Sequence, residues 1–198
     1  MTFDPRTLTD EERALPRDEV GWYEKYGIKF VDVHPPDLEE LRRWRNHPDI
    51  QRMMVMRETI TWDMQERWYY SFDRNKERYS LIVHEGVRIG LTQLRDIDEA
   101  ARTAEGGIII FRPEHQNGLV PYRAAIGGMD WNFLHRGLRE VRSTVLKANA
   151  RARRFVRSLG YELTDPDPRG EVLIGAVTPE RYFTAAKKWR AVLLAEDR

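Results

Sequence analysis

The chain has 198 residues, 41% hydrophobic and 33% charged, the balance of a globular domain large enough to bury its own core. Its 33 Lys and Arg against 32 Asp and Glu leave a net charge of +1, too even for a protein whose main task is gripping nucleic acid. The absence of cysteine excludes disulfides, a thiolate nucleophile and a Cys-based zinc site. With no apolar run of membrane-span length and no signal-peptide core, the expectation is a soluble cytoplasmic protein with no membrane or nucleic-acid partner.

Residues 1–27 are polar and acidic at "DEE" and read as an extension with one short helical turn. "IKFVDVH", 28–34, alternates apolar and polar and predicts a strand. Asp37, after two prolines, is placed to N-cap "LEELRRWRNH", whose Leu38, Leu41, Trp44 and Arg45 share a face. Asn46, His47 and Pro48 stop that helix. A second amphipathic helix is predicted over 59–77, where Trp62, Gln65, Trp68, Tyr69 and Phe72 recur at helical spacing and Thr61 gives a start signal. Residues 79–98 read as two strands joined by a tight turn at Glu85-Gly86. "AEGGIIIF", 104–111, is a β-branched run and predicts a central strand.

A loop then enters a helix around Gly118, with Pro121 tolerated in its first turn. Ala124, Ala125, Met129 and Phe133 form the buried face of that helix, and Gly137 ends it. Residues 138–149 alternate as a strand. "KANARARRFVRSLGY", 147–161, follows as a helix stopped at Gly160. Ala148, Ala152, Phe155, Val156 and Leu159 make its apolar face. Its four arginines read as a basic nucleic-acid face, a solvated face or part of a cofactor site. "YELTD" and "EVLIGAVT" predict a hairpin around "PDPRG", and Thr178-Pro179 opens a closing helix. The order predicts a single α/β domain, a mixed and mostly antiparallel sheet with helices on both faces. The extension covers 1–27, the main domain 28–178, and the last helix, 179–198, packs on it.

Two motifs resemble those of the GNAT superfamily of acyl-CoA N-acyltransferases. The family's cofactor motif runs Arg/Gln, two residues, Gly, one residue, Gly/Ala at the end of the fourth strand. His115-Gln116-Asn117-Gly118-Leu119-Val120 aligns with it; Gly118 matches, whereas His115 and Val120 depart. A later motif is matched by Asn149, Ala152, Phe155, Gly160 and Tyr161 at the family's offsets, but Val156 stands where the family has tyrosine. "LRRWRNHPDI", "ITWDMQERWYY" and "VRIGLTQLRDID" followed by "AEGGIII" are similar to the branch that acetylates nucleotide-linked amino sugars and ribosomal-protein N-termini.

The resemblance implies acetyl-CoA as acyl donor and no metal, since no histidine pair has ligand spacing with a carboxylate partner. Glycine and a helix N-terminus over 115–120 would hold the pyrophosphate. A backbone N–H near Ile110 or Phe111 would polarise the thioester carbonyl. Asn149 would bond the pantetheine arm or cap its helix, and Arg153 or Arg154 would reach a phosphate while the other arginines stay solvated. Glu105 is the first candidate base, ahead of His84 and His115. Without tyrosine at 156, water, Tyr122 or Tyr161 must protonate the departing thiolate.

On the acceptor side the resemblance places Trp44, Arg45, Asn46, Glu66 and Trp68, on the first two helices, beside the cleft, as binding residues or as core. The expected reaction is direct acetyl transfer to a primary amine, the acceptor a small molecule such as a nucleotide-linked amino sugar. The alternatives are a protein N-terminal acetyltransferase, a non-catalytic acyl-CoA-binding module, or an α/β domain that binds neither. The extension and the last helix are candidate homodimer contacts.

Overall fold

The computed structural model describes residues 23–196. They form a mixed sheet of eight strands in the order β1-β2-β3-β4-β5-β6-β8-β7. The strands are β1 Tyr23–Lys25, β2 Ile28–Asp32, β3 Arg78–His84, β4 Val87–Asp98, β5 Thr103–Ile110, β6 Glu140–Leu146, β7 Glu162–Thr164 and β8 Val172–Val177. Every neighbouring pair is antiparallel except β5 and β6. The helices are α1 Leu38–Asn46, α2 Pro48–Gln51, α3 Trp62–Ser71, α4 Val120–Asp130, α5 Ala150–Ser158 and α6 Pro179–Glu196.

Turn chemistry sets the hairpins. Glu85 and Gly86 both take positive φ, 49° and 76°, the two-residue geometry that matches strand twist. Tyr26 and Gly27 do the same at 55° and 67°. They fold β1 onto β2, so the sheet begins inside the stretch read as extension. The helical turn expected in that extension lies outside the described residues.

Each face of the sheet buries one group of helices. On the first, α1–α3 cover Val33, Tyr79, Leu81, Leu91 and Phe111 with Leu38, Leu41, Ile50 and Tyr69. On the second, α4 and α6 cover Ala104, Val141 and Val177 with Ile126, Met129, Tyr182, Phe183 and Leu193, and Phe155 and Val156 of α5 pack against them. Beneath α4, Asp130 is fully buried. It accepts hydrogen bonds from the Tyr26 and Tyr182 hydroxyls, both 2.7 Å, and pairs with Arg190 at 3.2 Å and Lys25 at 3.4 Å. This carboxylate ties β1, α4 and α6 together.

Three helical expectations change. α3 spans Trp62–Ser71, not 59–77. Ile60 is held by Asn46 ahead of it, and the Asp73 carbonyl accepts from the Lys76 and Glu77 amides to form a turn after it. A short helix, Pro48–Gln51, starts where the sequence predicts only a stop, with the His47 side chain as its cap. Asp37 does not cap α1; its carboxylate takes the His34 amide at 2.8 Å and Arg88 at 2.9 Å.

Candidate active site

The parallel seam between β5 and β6 is three residue pairs long: Thr103↔Glu140, Ala104↔Val141 and Glu105↔Arg142. Beyond Glu105 the strands part. Gly106 lies at the fork, where a Cβ would come within 2.9 Å of Val141 Cγ1. The strand read as central is therefore only half-buried over Gly106–Ile110, because its β6 neighbour has left it.

The fork exposes backbone groups. The Phe111 amide donates to the Ile89 carbonyl at 2.8 Å. Alternation along an antiparallel ladder then turns the Ile108 and Ile110 amides the other way, toward the gap. This narrows the expectation for the carbonyl-polarising donor: the Phe111 N–H is occupied and Ile110 remains. The Phe111 ring is buried against Trp44, with centroids 4.7 Å apart.

At the mouth of the gap, a 3-10 turn, Pro113–His115, leads to Gly118 at φ 71° and into α4. No side chain caps α4 at Leu119, and Pro121 sits in its first turn, so its leading amides are left for an anion. Nothing lies within 4 Å of a Cβ built on Gly118. Gln116 donates to the Ile110 carbonyl at 3.0 Å and accepts from Arg151 at 3.4 Å, bridging the loop before α4 to α5. His115 meets His84 edge-on at 5.7 Å. Asn117, Leu119 and Val120 complete the turn.

Asn149 N-caps α5 through Oδ1, which accepts the Ala152 amide at 2.9 Å. Arg151, Arg154 and Arg157 are exposed. Arg153 is half-buried, and its Nε is enclosed without a partner. α5 ends in a Schellman motif: the Gly160 amide bonds Arg157 O and the Tyr161 amide bonds Val156 O. Val156 thus sits in the last turn and packs with the core. Neither tyrosine is an open proton donor. Burial raises the Tyr161 pKa, and its hydroxyl donates to Met129 Sδ. The Tyr122 hydroxyl lies 3.1 Å from Ser158 Oγ, which donates to Phe155 O, so Tyr122 gives its proton to Ser158.

Glu105 occupies the fork itself. It pairs with Arg95 at 2.9 Å, and in the register both stand on the α1–α3 face. Above that face, the Arg45 guanidinium lies 5.6 Å from the Trp68 ring centre and bonds Gln65 Oε1 at 3.4 Å. Burial lowers the Arg45 pKa; Tyr79 opposes the shift and Arg95 adds to it. Trp68 also packs edge-on to Tyr79 at 4.7 Å. Glu66 is half-buried.

Asn46 has a structural role on the acceptor side. Both ends of its amide bind the Ile60 backbone at 2.8 Å, so it staples the α2–α3 loop, with one N–H and one oxygen lone pair still open. Trp44, stacked on Phe111, is partly buried and packs against the core. Sequence reasoning missed Gln65 and Arg95 as neighbours of Arg45, because a long-range pairing leaves no periodic signal. It also missed Arg57, which reaches Glu171 in the β7–β8 loop at 3.1 Å and links the two sides of the fork.

A sheet that splays beside a helix N-terminus, with strand amides turned into the split, offers donors to both an anion and a carbonyl oxygen. Residues 28–162 match the family model "Acetyltransferase (GNAT) domain", and the chain belongs to that family. GNAT enzymes use acetyl-CoA, and this protein is an acyltransferase. The spermidine N-acetyltransferase of Vibrio cholerae in complex with CoA and spermine superposes with a TM-score of 0.70. It is 21% identical, covering 80% of this chain and 99% of that one. A domain from Methanocaldococcus jannaschii superposes at 0.67 with 20% identity, covering 76% and 97%. Both are likenesses of fold. No curated relative matches the chain. Among the described residues there is no group of His, Cys, Asp or Glu that could hold a metal ion, and no helix long and apolar enough to cross a membrane.

Proposed function

We propose that the protein transfers an acetyl group from acetyl-CoA directly to the primary amine of a small molecule, a nucleotide-linked amino sugar being the leading acceptor. The carrying observation is the fork: Glu105 at its apex, the Ile110 amide turned into the gap, and the uncapped start of α4 at its mouth. Acetyl-CoA supplies the acyl group as an activated thioester. Ile110 N–H stabilises the charge that develops on the carbonyl oxygen, a contribution of about 2.7–4 kcal/mol for such a donor. Glu105 takes the proton of the incoming amine, and its Arg95 partner fixes the carboxylate in place. Gly118, His115, Gln116, Asn117, Leu119 and Val120 hold the pyrophosphate. Arg153 approaches a phosphate, and Asn149 bonds the pantetheine arm. With Val156 in the apolar core, water protonates the departing thiolate, whose ordinary pKa near ~8.5 makes it a tolerable leaving group.

The CoA- and spermine-bound spermidine N-acetyltransferase supports amine acetylation and brings polyamines into the acceptor set as a second reading. The test is thermal unfolding with acetyl-CoA, followed by an acceptor screen containing amino-sugar nucleotides, N-terminal peptides and spermidine. Donor at about 100 times its Kd adds roughly 2.7 kcal/mol of stability. Gly118→Glu, which puts a carboxylate where the pyrophosphate sits, abolishes the gain. No stabilisation of the wild type would overturn the donor site. Donor binding without consumption of any amine would make the protein a binding module.

A further inference from the structure

Arg45 presents an unbalanced charge. It is half-buried on α1, and among the described residues no carboxylate pairs with it; a second cation, Arg95, acts on it instead. Its one hydrogen bond there runs to Gln65 Oε1 at 3.4 Å. Gln65 is itself fully buried, and its Nε2 has no acceptor. Arg95 spends its Nη2 on Glu105, while its Nε is enclosed without a partner. The carboxylate of Glu77 is engaged by the Tyr79 hydroxyl at 2.6 Å. Two donors, Gln65 Nε2 and Arg95 Nε, therefore lack acceptors, and Arg45 lacks a counter-charge, on the face that carries Glu105. Buried charge and buried amide donors are retained only where something accepts from them, and a guanidinium matches a carboxylate or phosphate fork.

We infer that Arg45, with Gln65 and Arg95 beside it, recognises an oxyanion, phosphate or carboxylate, carried by the amine acceptor. The inference rests on the acceptor-cleft reading above and narrows it. An anion at Arg45 anchors the acceptor next to Glu105, and the Trp68 face under the guanidinium holds the planar group in register. A purely cationic polyamine meets two arginines there and is repelled.

The experiment compares wild type, Arg45→Met and Arg45→Lys in steady-state acetylation. The acceptors are a nucleotide-linked amino sugar, an amino acid with a free carboxylate, and spermidine. The phosphate and carboxylate arms separate the two anion sources. The expected result is turnover of one anionic acceptor and little of spermidine. Arg45→Met raises the KM of that acceptor about 10- to 100-fold, Arg45→Lys recovers part of the loss, and the KM for acetyl-CoA is unchanged. A preference for spermidine, or an acceptor KM indifferent to Arg45→Met, overturns the inference and leaves acetyl transfer standing. If no amine is consumed, the CoA-saturated protein is melted with uridine diphosphate and with glutarate. A Tm rise lost in Arg45→Met then supports the anion site while the acetyltransferase reading falls; no rise overturns the inference too.

Discussion

Asp130→Ala tests the buried junction between β1, α4 and α6. The carboxylate is wholly shielded from water and accepts from two tyrosine hydroxyls, Arg190 and Lys25. Removing one partner of a buried ionic cluster typically costs about 3–5 kcal/mol, because desolvated groups lose their counterpart. Domains of this kind are stable by about 5–15 kcal/mol, so roughly a fifth or more of the total would go. At roughly 2–4 °C per kcal/mol for a chain of this length, Tm should fall by about 6–20 °C. Urea titration with the midpoint and slope both fitted is the assay, with Asp130→Asn as the milder variant. The junction lies on the α4 face, whereas Glu105 and Arg45 are on the opposite one. Turnover measured well below the new Tm should therefore stay within about threefold, roughly 0.7 kcal/mol. A loss under about 1 kcal/mol would show that the four contacts are not a stabilising unit and refute the reasoning.

Alkaline pH should unfold the protein sharply. Burial raises the pKa of Tyr23, Tyr26, Tyr161 and Tyr182, and raises that of Tyr79 to about 12. Each is neutral in the fold and ionises near ~10 once unfolded. The unfolded chain then binds fewer protons, so stability is complete below about pH 10 and falls as pH rises, until Tyr79 itself ionises near 12. Five such groups remove about 7 kcal/mol by pH 11; a urea midpoint unchanged between pH 9 and 11 would contradict this. Asn149→Ala removes the α5 cap and should cost about 1 kcal/mol of stability, read by urea denaturation; an equal midpoint would mean the cap carries nothing. Asn46→Ala frees Ile60 and the loop before α3, and should raise the acceptor KM while the acetyl-CoA KM holds. Gly90→Ala places a Cβ 2.3 Å from the Ile109 carbonyl oxygen. It should cost about 1–3 kcal/mol and lower kcat through the displaced Ile110 amide, as single-turnover acetylation would reveal.

Much of the fold was legible because it is written locally. Alternation marked β2, β3, β4 and β6, and Glu85-Gly86 and Gly160 marked turns that positive φ then required. Tyr23–Lys25 escaped because three residues are too short for a period, and Tyr26-Gly27 is not a strong turn dipeptide. The site was legible only in outline. Motif and position nominate Gly118, Asn149 and Glu105 as candidates. The parting of β5 from β6 could not be read, since the isoleucine run of 108–110 reads the same whether a neighbour stays or leaves. Asn46 is placed beside the cleft by the family resemblance; its bonds to Ile60 depend on a loop return that periodicity does not encode. For Arg45 the sequence offers only a place beside the acceptor cleft, whereas its distinguishing property is the missing counter-charge.

The short β5–β6 seam has a mechanical consequence. Five strands lie on one side of it and three on the other, so the sheet is built as two plates on a narrow hinge. At the open end, Gln116–Arg151 and Arg57–Glu171 span the opening, and both are polar contacts that water can replace. A molecule lying in the opening would act as a splint, stiffening the whole sheet from one place. Amides of β6 far from any ligand would then exchange their hydrogens more slowly when the opening is filled, and regain their mobility each time product leaves.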